Sequence, residues 1–167
     1  MKVKPEDFDV VAMVREIFDS LRFSVSGNIQ LMVLPDQPFM ISADRARIKV
    51  VLNNIISNSV KYRRKDIEMP YVRVTVDQSK TDYIFKIEDN GEGIPRQSRE
   101  KVFDMFYRAS TTTSGTGLGL YITKEIITKL NGAIGLESEE GKGTKVTVRI
   151  PLRFIANEIA VAQENKS

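Results

Sequence analysis

The sequence predicts an α+β domain, a two-layer sandwich in which a mixed, mostly antiparallel sheet is covered on one face by three helices. Three observations predict it. Residues 9–22, 45–63 and the stretch ending near Leu130 repeat apolar side chains at helical spacing. Residues 71–76 and 83–88 alternate apolar and polar, and 134–137 and 145–150 make a second such pair, each pair joined by a turn-rich connection. The order helix, two strands, helix, two strands, helices, two strands interleaves elements that each need a partner layer for their apolar face.

The elements follow in order. Val10, Val11, Val14, Ile17, Phe18 and Leu21 form one helical stripe, with Asp9 placed to cap it. Residues 28–34 and 39–42 read as strands. Asp44 can cap the helix of 45–63, whose stripe is Ile48, Val51, Leu52, Ile55, Ile56 and Val60. Residues 77–82 read as a hairpin connection, 89–95 as a loop and 97–104 as a short helix. Residues 107–116 are Ser/Thr-rich and without periodicity, which marks a mobile loop. Asn131-Gly132 ends the last helix, and Glu140-Gly-Lys-Gly143 turns the final hairpin. One domain over 1–151 is expected, followed by a tail, 152–167, with no assigned role.

Composition bounds the function. The chain has 167 residues, 41% hydrophobic and 28% charged, which fits one soluble globular core. No run of 18 apolar residues spans a membrane. The net charge of +3 is scattered, without the basic stripe of a nucleic-acid binder. With no cysteine there are no disulfides or thiolate metal sites, and a cytoplasmic setting is expected. With no histidine, any base, nucleophile or ligand of that type must come from elsewhere.

Four stretches carry chemistry. Gly115-Thr-Gly117-Leu-Gly119-Leu120 runs straight into a helix. Glycines let the backbone approach an anion, and a helix start offers unpaired N–H groups, so the pattern fits a phosphate cradle. On the helix of 45–63, at ~100° per residue, Asn54, Asn58, Lys61 and Tyr62 fall within an arc of about 100° beside the apolar stripe. They either face water or line a pocket mouth. Amide oxygens there would suit Mg²⁺, and Lys61 would suit a phosphate. Asp89-Asn-Gly91-Glu-Gly93 follows a strand; it fits an ordinary turn and equally an acceptor for the amino group of adenine. Phe103 and Phe106 are expected to pin the mobile loop to the core, ahead of Arg108, whose fork matches a phosphate.

Together these stretches resemble the catalytic, ATP-binding domain of two-component sensor histidine kinases, within the gyrase, chaperone, kinase and mismatch-repair ATPase superfamily. The resemblance runs from Phe8 to Pro151. It rests on Asn54-Ile-Ile-Ser-Asn58-Ser-Val-Lys61-Tyr62, Asp89-Asn-Gly91-Glu-Gly93-Ile94-Pro95, Phe103-Asp-Met-Phe106-Tyr-Arg108, Gly115 to Leu120 and Gly141-Lys-Gly143-Thr144. It implies a Bergerat-type fold and the cofactors ATP and Mg²⁺. By resemblance Asn58 ligates Mg²⁺, with Asn54 beside it on the metal or phosphate side; Lys61 contacts phosphate and Tyr62 packs on adenine. Asp89 binds the adenine amino group, with Gly91, Gly93, Ile94 and Thr144 around it. Gly115, Thr116, Gly117, Leu118, Gly119 and Leu120 hold phosphates. Residues 107–116 form the ATP lid, with Phe106 at its base and Arg108 reaching the terminal phosphate.

Asn54 stands where the hydrolysing ATPases of the superfamily carry a Glu, four residues before the metal Asn. An amide is no general base, so slow hydrolysis is expected, and transfer rests on positioning and charge neutralisation. Met105 departs from the family's usual Pro. The hairpin bearing the phosphoacceptor histidine is absent from these residues, so the chain is expected to be part of a longer kinase. Its implied partners are that dimerisation hairpin and, through the parent, a response regulator. The isolated domain is expected to be a monomer that contacts neither nucleic acid nor membrane. Two other readings stay open, an ATPase or anti-sigma serine kinase, against which Asn54 speaks, and a module that has lost nucleotide binding.

Overall fold

The computed structural model describes residues 3–25, 27–109 and 115–152. The elements are β1 (Pro5–Asp9), α1 (Val10–Arg22), β2 (Gln30–Leu34), β3 (Met40–Asp44), α2 (Arg45–Lys61), β4 (Tyr71–Gln78), β5 (Asp82–Asp89), a 3-10 turn (Arg96–Ser98), α3 (Gly119–Lys129), β6 (Ala133–Glu139) and β7 (Gly143–Pro151). Five strands form one sheet in the order β2-β4-β5-β7-β6. Only β2–β4 is parallel, and α2 lies in its crossover, as a parallel link requires. The three helices and the mixed sheet are those the sequence predicts.

Alternation along the strands sets the two faces of the sheet. Val72, Val74 and Val76 on β4, Phe85 and Ile87 on β5, and Val146, Val148 and Ile150 on β7 are all buried. The ladder places them side by side, Val74 opposite Ile87, Ile87 opposite Val146, and Phe85 opposite Val148. Against this face packs α2, flanked by α1 and α3. Ile48, Val51, Leu52, Ile55 and Ile56 of α2 complete the core. Each such side chain contributes about 1.5–3 kcal/mol by leaving water, so α2 is held far more firmly than helix propensity alone would hold it. Lys86 and Arg149 fall between the buried residues and are exposed.

Both long N-terminal helices start as predicted. The Asp44 carboxylate caps α2, accepting from the Arg47 N–H at 3.0 Å. The Asp9 carboxylate accepts from the N–H of Val11 at 3.0 Å and Ala12 at 3.3 Å, and also from Phe39 at 3.0 Å, tying the helix start to the approach to β3. Asp9→Ala leaves these donors without their acceptor. A loss of about 1–2 kcal/mol is expected, read as an earlier urea midpoint with unchanged slope.

Several elements differ from expectation; β4 and β5 take in Asp77, Gln78 and Asp82 of the expected connection, and β6 and β7 run past the stretches read as strands. Strand β1 has no alternating pattern to betray it; only Phe8 of its residues is buried, and it exists by pairing with β3 in a separate two-stranded sheet. That pairing extends β3 to Asp44. The helix expected at 97–104 reduces to one 3-10 turn followed by irregular turns, because only Ser98 and Val102 in that stretch are buried and no apolar stripe forms. Helix α2 ends at Lys61, and Tyr62 takes the C-cap with its N–H on the Asn58 carbonyl at 2.9 Å. The last helix ends as expected, with Asn131 at a φ of 54°. Leu152 still donates its N–H to the Thr81 carbonyl at 2.8 Å. The tail beyond it, 153–167, and the centre of the expected lid, 110–114, lie outside the described residues. No helix among the described residues is long and apolar enough to cross a membrane.

Candidate nucleotide site

One cleft of about 480 Å³ opens between α2, the ends of β5 and β7, and the segments that flank residues 110–114. That volume suits a nucleotide-sized ligand. Strand register builds one end of it. Asp89, the last residue of β5, lies opposite Thr144 on β7, and Thr144 lies opposite Ser138 on β6. One oxygen of the Asp89 carboxylate accepts from two backbone N–H groups, Gly91 at 2.9 Å and Thr144 at 3.2 Å. The other accepts from the Ser59 hydroxyl at 2.7 Å. A carboxylate oxygen has about two lone-pair sites, so the Ser59-bound oxygen keeps one for a donor in the cleft. Burial pushes the Asp89 carboxyl above its usual range, and the Ser59, Gly91 and Thr144 hydrogen bonds pull it back.

Around this carboxylate the rim is stitched together. The Glu92 N–H donates to the Tyr62 carbonyl at 2.9 Å, and the Gly141 N–H to the Glu92 carbonyl at 2.6 Å. Arg64 donates to the Gly141 carbonyl at 2.7 Å. The Ser138 hydroxyl accepts from the Ile94 N–H at 2.8 Å and lies 2.8 Å from the Thr144 hydroxyl. Two glycines are required here. A side chain on Gly93, whose φ is 69°, would run into the Glu139 carbonyl, and one on Gly91 would come within 2.6 Å of the Tyr62 carbonyl oxygen.

The other end is cationic. Lys61 projects from the last turn of α2, its ammonium 5.4 Å from the Tyr62 ring centre. Burial, and then the nearby positive charge of Arg108, push the Lys61 ammonium below its usual range. Two cations sharing a cleft favour an anion between them. Gly115 leaves the space that Lys61 occupies; a Cβ there would collide with the ammonium. Gly117, at a φ of 73°, passes so close to the preceding segment that a Cβ would sit 2.7 Å from the Phe106 carbonyl carbon. Asn54 and Asn58 line the cleft between these two ends.

The polar arc predicted on α2 therefore faces the cleft, not water. Asn54, Asn58, Lys61 and Tyr62 line it, with Asp89, Gly93, Ile94 and Thr144 at the carboxylate end and Arg108, Gly115, Thr116, Gly117, Gly119 and Leu120 opposite. Three expected residues do not line it. Gly91 serves the close approach to Tyr62, and Leu118 sits at the N-cap of α3. Phe106 is 66% exposed with a φ of 62°, and Phe103 is only half-buried, so the two do not pin the loop. Val102 is the buried apolar residue of this stretch, and it lines the cleft. Ser59, Ser138 and Thr123 escaped the sequence reading. The one available signal was a hydroxyl inside an apolar stripe, at Ser59 and Thr123.

Residues 43–154 match the model of the family described as histidine kinase-, DNA gyrase B-, and HSP90-like ATPase. The chain belongs to this family. Within it, the Bacillus subtilis sensor histidine kinase WalK is 33% identical over 153 residues, covering 89% of this chain and 25% of WalK. Escherichia coli RcsC, also a sensor histidine kinase, is 30% identical over 160 residues, covering 91% of this chain and 16% of RcsC. The chain thus spans a quarter or less of these relatives. Among solved structures, a mycobacterial sensor histidine kinase, MprB, superposes with a TM-score of 0.71 at 25% identity over 89% of this chain and 97% of that one. The catalytic domain of the histidine kinase ThkA gives 0.72 at 26% identity, over 89% and 95%. As a member of this ATPase family, the chain carries its ATP-binding domain.

Proposed function

We propose that this chain is the catalytic domain of a sensor histidine kinase, binding ATP with Mg²⁺ and donating the γ-phosphoryl group to a histidine on a dimerisation hairpin outside these residues. From there the group would pass to a response regulator. The observation that carries this reading is a single cleft that brings the Asp89 carboxylate, the Asn54 and Asn58 amides and the Lys61 and Arg108 cations together.

Each group has a task. Asp89 and the hydroxyl of Thr144 hold the adenine, and Tyr62 packs against it. Gly93 and Ile94 form the loop beneath. Lys61, Arg108 and the backbone of Gly115 to Leu120 hold the phosphates. Asn58, with Asn54 beside it, would hold Mg²⁺. No cluster of three or more His, Cys, Asp or Glu among the described residues could hold a metal ion by itself. The donor set of neutral amide oxygens fits a hard cation that takes its remaining ligands from phosphates and water. When bound, the ion would neutralise charge on the transferring group. Asn54 offers water no base, so the chain orients the phosphates for an incoming imidazole and leaves hydrolysis slow.

The test is titration with a fluorescent ADP analogue, with Mg²⁺ and with EDTA. Wild type is expected to bind in both and more tightly with Mg²⁺. Asn58→Ala should lose about tenfold of the Mg²⁺-dependent gain while keeping its affinity in EDTA. A separately made hairpin bearing the acceptor histidine should then gain an acid-labile, base-stable phosphate from ATP. Rapid ATP hydrolysis without the hairpin, or no analogue binding, would overturn the assignment.

A further inference from the structure

Thr123 is a polar side chain with no solvent exposure, on the second turn of α3, which the reading above leaves without a task. Its hydroxyl donates to the Gly119 carbonyl at 2.9 Å. With its proton committed there, the oxygen can only accept from another partner. That partner is the Asn54 carboxamide, whose Nδ2 lies 3.2 Å from the Thr123 oxygen and 3.1 Å from the Gly119 carbonyl. A carbonyl cannot donate, so the Asn54 atom facing it must be the NH₂ group. Chemistry alone thus fixes which way this amide points, a choice that shape does not normally settle. Both NH₂ partners lie on α3, and Asn54 Oδ1 accepts no hydrogen bond among the described residues.

We propose that Thr123 is a positioning residue for the nucleotide site, holding the Asn54 amide with its carbonyl oxygen toward the cleft. The inference rests on the assignment of the cleft to ATP and Mg²⁺. It makes Asn54 an oxygen donor, serving the cation or a water bound to it, and not an N–H donor to phosphate. It also joins the two halves of the phosphate end mechanically. Asn54 sits on α2, while Gly119 and Thr123 belong to the first turns of α3, directly after the glycine loop. A displaced glycine loop would therefore release the amide. With the Thr123 hydroxyl gone, the Asn54 NH₂ keeps only the Gly119 carbonyl, and an amide held at one point in place of two can swing about it and carry its oxygen off the cation.

Thr123→Val keeps shape and removes the hydroxyl; the Gly119 carbonyl retains the Asn54 donor, so no acceptor is orphaned. Thr123→Ser keeps the hydroxyl. In amide-detected NMR of the nucleotide-free chain, the Asn54 side-chain NH₂ should exchange slowly with water in wild type and Thr123→Ser and at least about tenfold faster in Thr123→Val. In the ADP-analogue titration, Thr123→Val should lose about tenfold of the Mg²⁺-dependent gain, with affinity in EDTA and thermal midpoint close to wild type, and Thr123→Ser should restore the gain. Equal Mg²⁺ dependence in wild type and Thr123→Val would overturn the proposal, as would an Asn54 amide that exchanges fast in wild type. Loss of affinity in EDTA and with Mg²⁺ alike, with a lowered midpoint, would make Thr123 a packing residue only and overturn it too. If wild type binds no analogue, the nucleotide assignment itself falls, and the NMR result still judges the orientation of Asn54.

Discussion

Replacing Gly143 by alanine is expected to cost about 2–6 kcal/mol, a large share of the stability a single domain of this size possesses. Two terms combine. The residue sits at a φ of 129°, where an L side chain is strained by about 1–3 kcal/mol. Its Cβ would also drive into the Asp89 carbonyl and come within 2.9 Å of the Asn90 Cα. Backbone cannot swing aside as a side-chain tip can, and overpacking of this kind adds about 1–3 kcal/mol. The collision falls on the residue whose carboxylate anchors the cleft, so analogue binding should fall as well. Gly141→Ala is the matched control. Its φ of 79° is equally left-handed, yet nothing lies within 4 Å of the added Cβ, so only about 1–2 kcal/mol should be lost. Thermal melts of the two variants check the contrast; equal midpoints would show that the contact with Asp89 yields.

Asp89→Asn is expected to move binding and stability in opposite directions. For the nucleotide, the carboxylate oxygen that faces the cleft becomes an NH₂ group, because the other oxygen is held by the N–H groups of Gly91 and Thr144. A donor would then meet the donor of the adenine amino group. Losing a charged hydrogen bond, with a mismatch in its place, should weaken analogue binding by about 100-fold or more. For the apo protein, the substitution removes a charge whose burial is unfavourable, and Ser59 can turn its hydroxyl to accept from the new NH₂. The midpoint should hold or rise.

The pH dependence follows from the same carboxyl. Its folded value is raised by burial, so the folded state takes up this proton more readily than the unfolded one. The ionised group therefore costs stability at neutral pH. That cost is relieved as pH falls through the folded value and is gone below the unfolded value. Between the folded and unfolded values, falling pH should weaken binding while the Asp89 contribution to stability improves, and Asp89→Asn should show neither trend. Analogue titrations and urea midpoints from neutral pH down to the ordinary carboxylate range measure both.

Much of this molecule was legible because its signals are local. The stripe from Ile48 to Val60 and the alternation of Tyr71–Val76 with Tyr83–Glu88 each need only one stretch of chain. Asn54, Asn58 and Lys61 were legible as a group because helical spacing alone places them together. What stayed hidden depends on partners distant in sequence. Ser59 matters through Asp89, 30 positions on, and Ser138 through Ile94, 44 positions back. Thr123 matters through Asn54, 69 positions back. Each reads locally as a small residue on an amphipathic element. Strand β1 was invisible because Pro5-Glu-Asp-Phe-Asp9 has one apolar residue to bury and becomes extended only beside β3. Phe106 misled in the other sense: an aromatic residue suggests burial, and its left-handed backbone turns it outward.

The stitched rim joining Tyr62, Glu92, Gly141 and Arg64 has an implication for small molecules. A receptor whose donors and acceptors are already fixed spends little ordering entropy on its guest. Flat heterocycles bearing one exocyclic amine and no anionic tail should therefore find a ready-made berth at the Asp89 end, and growing them toward Leu136 and Val146 would add apolar area without disturbing Lys61 and Arg108.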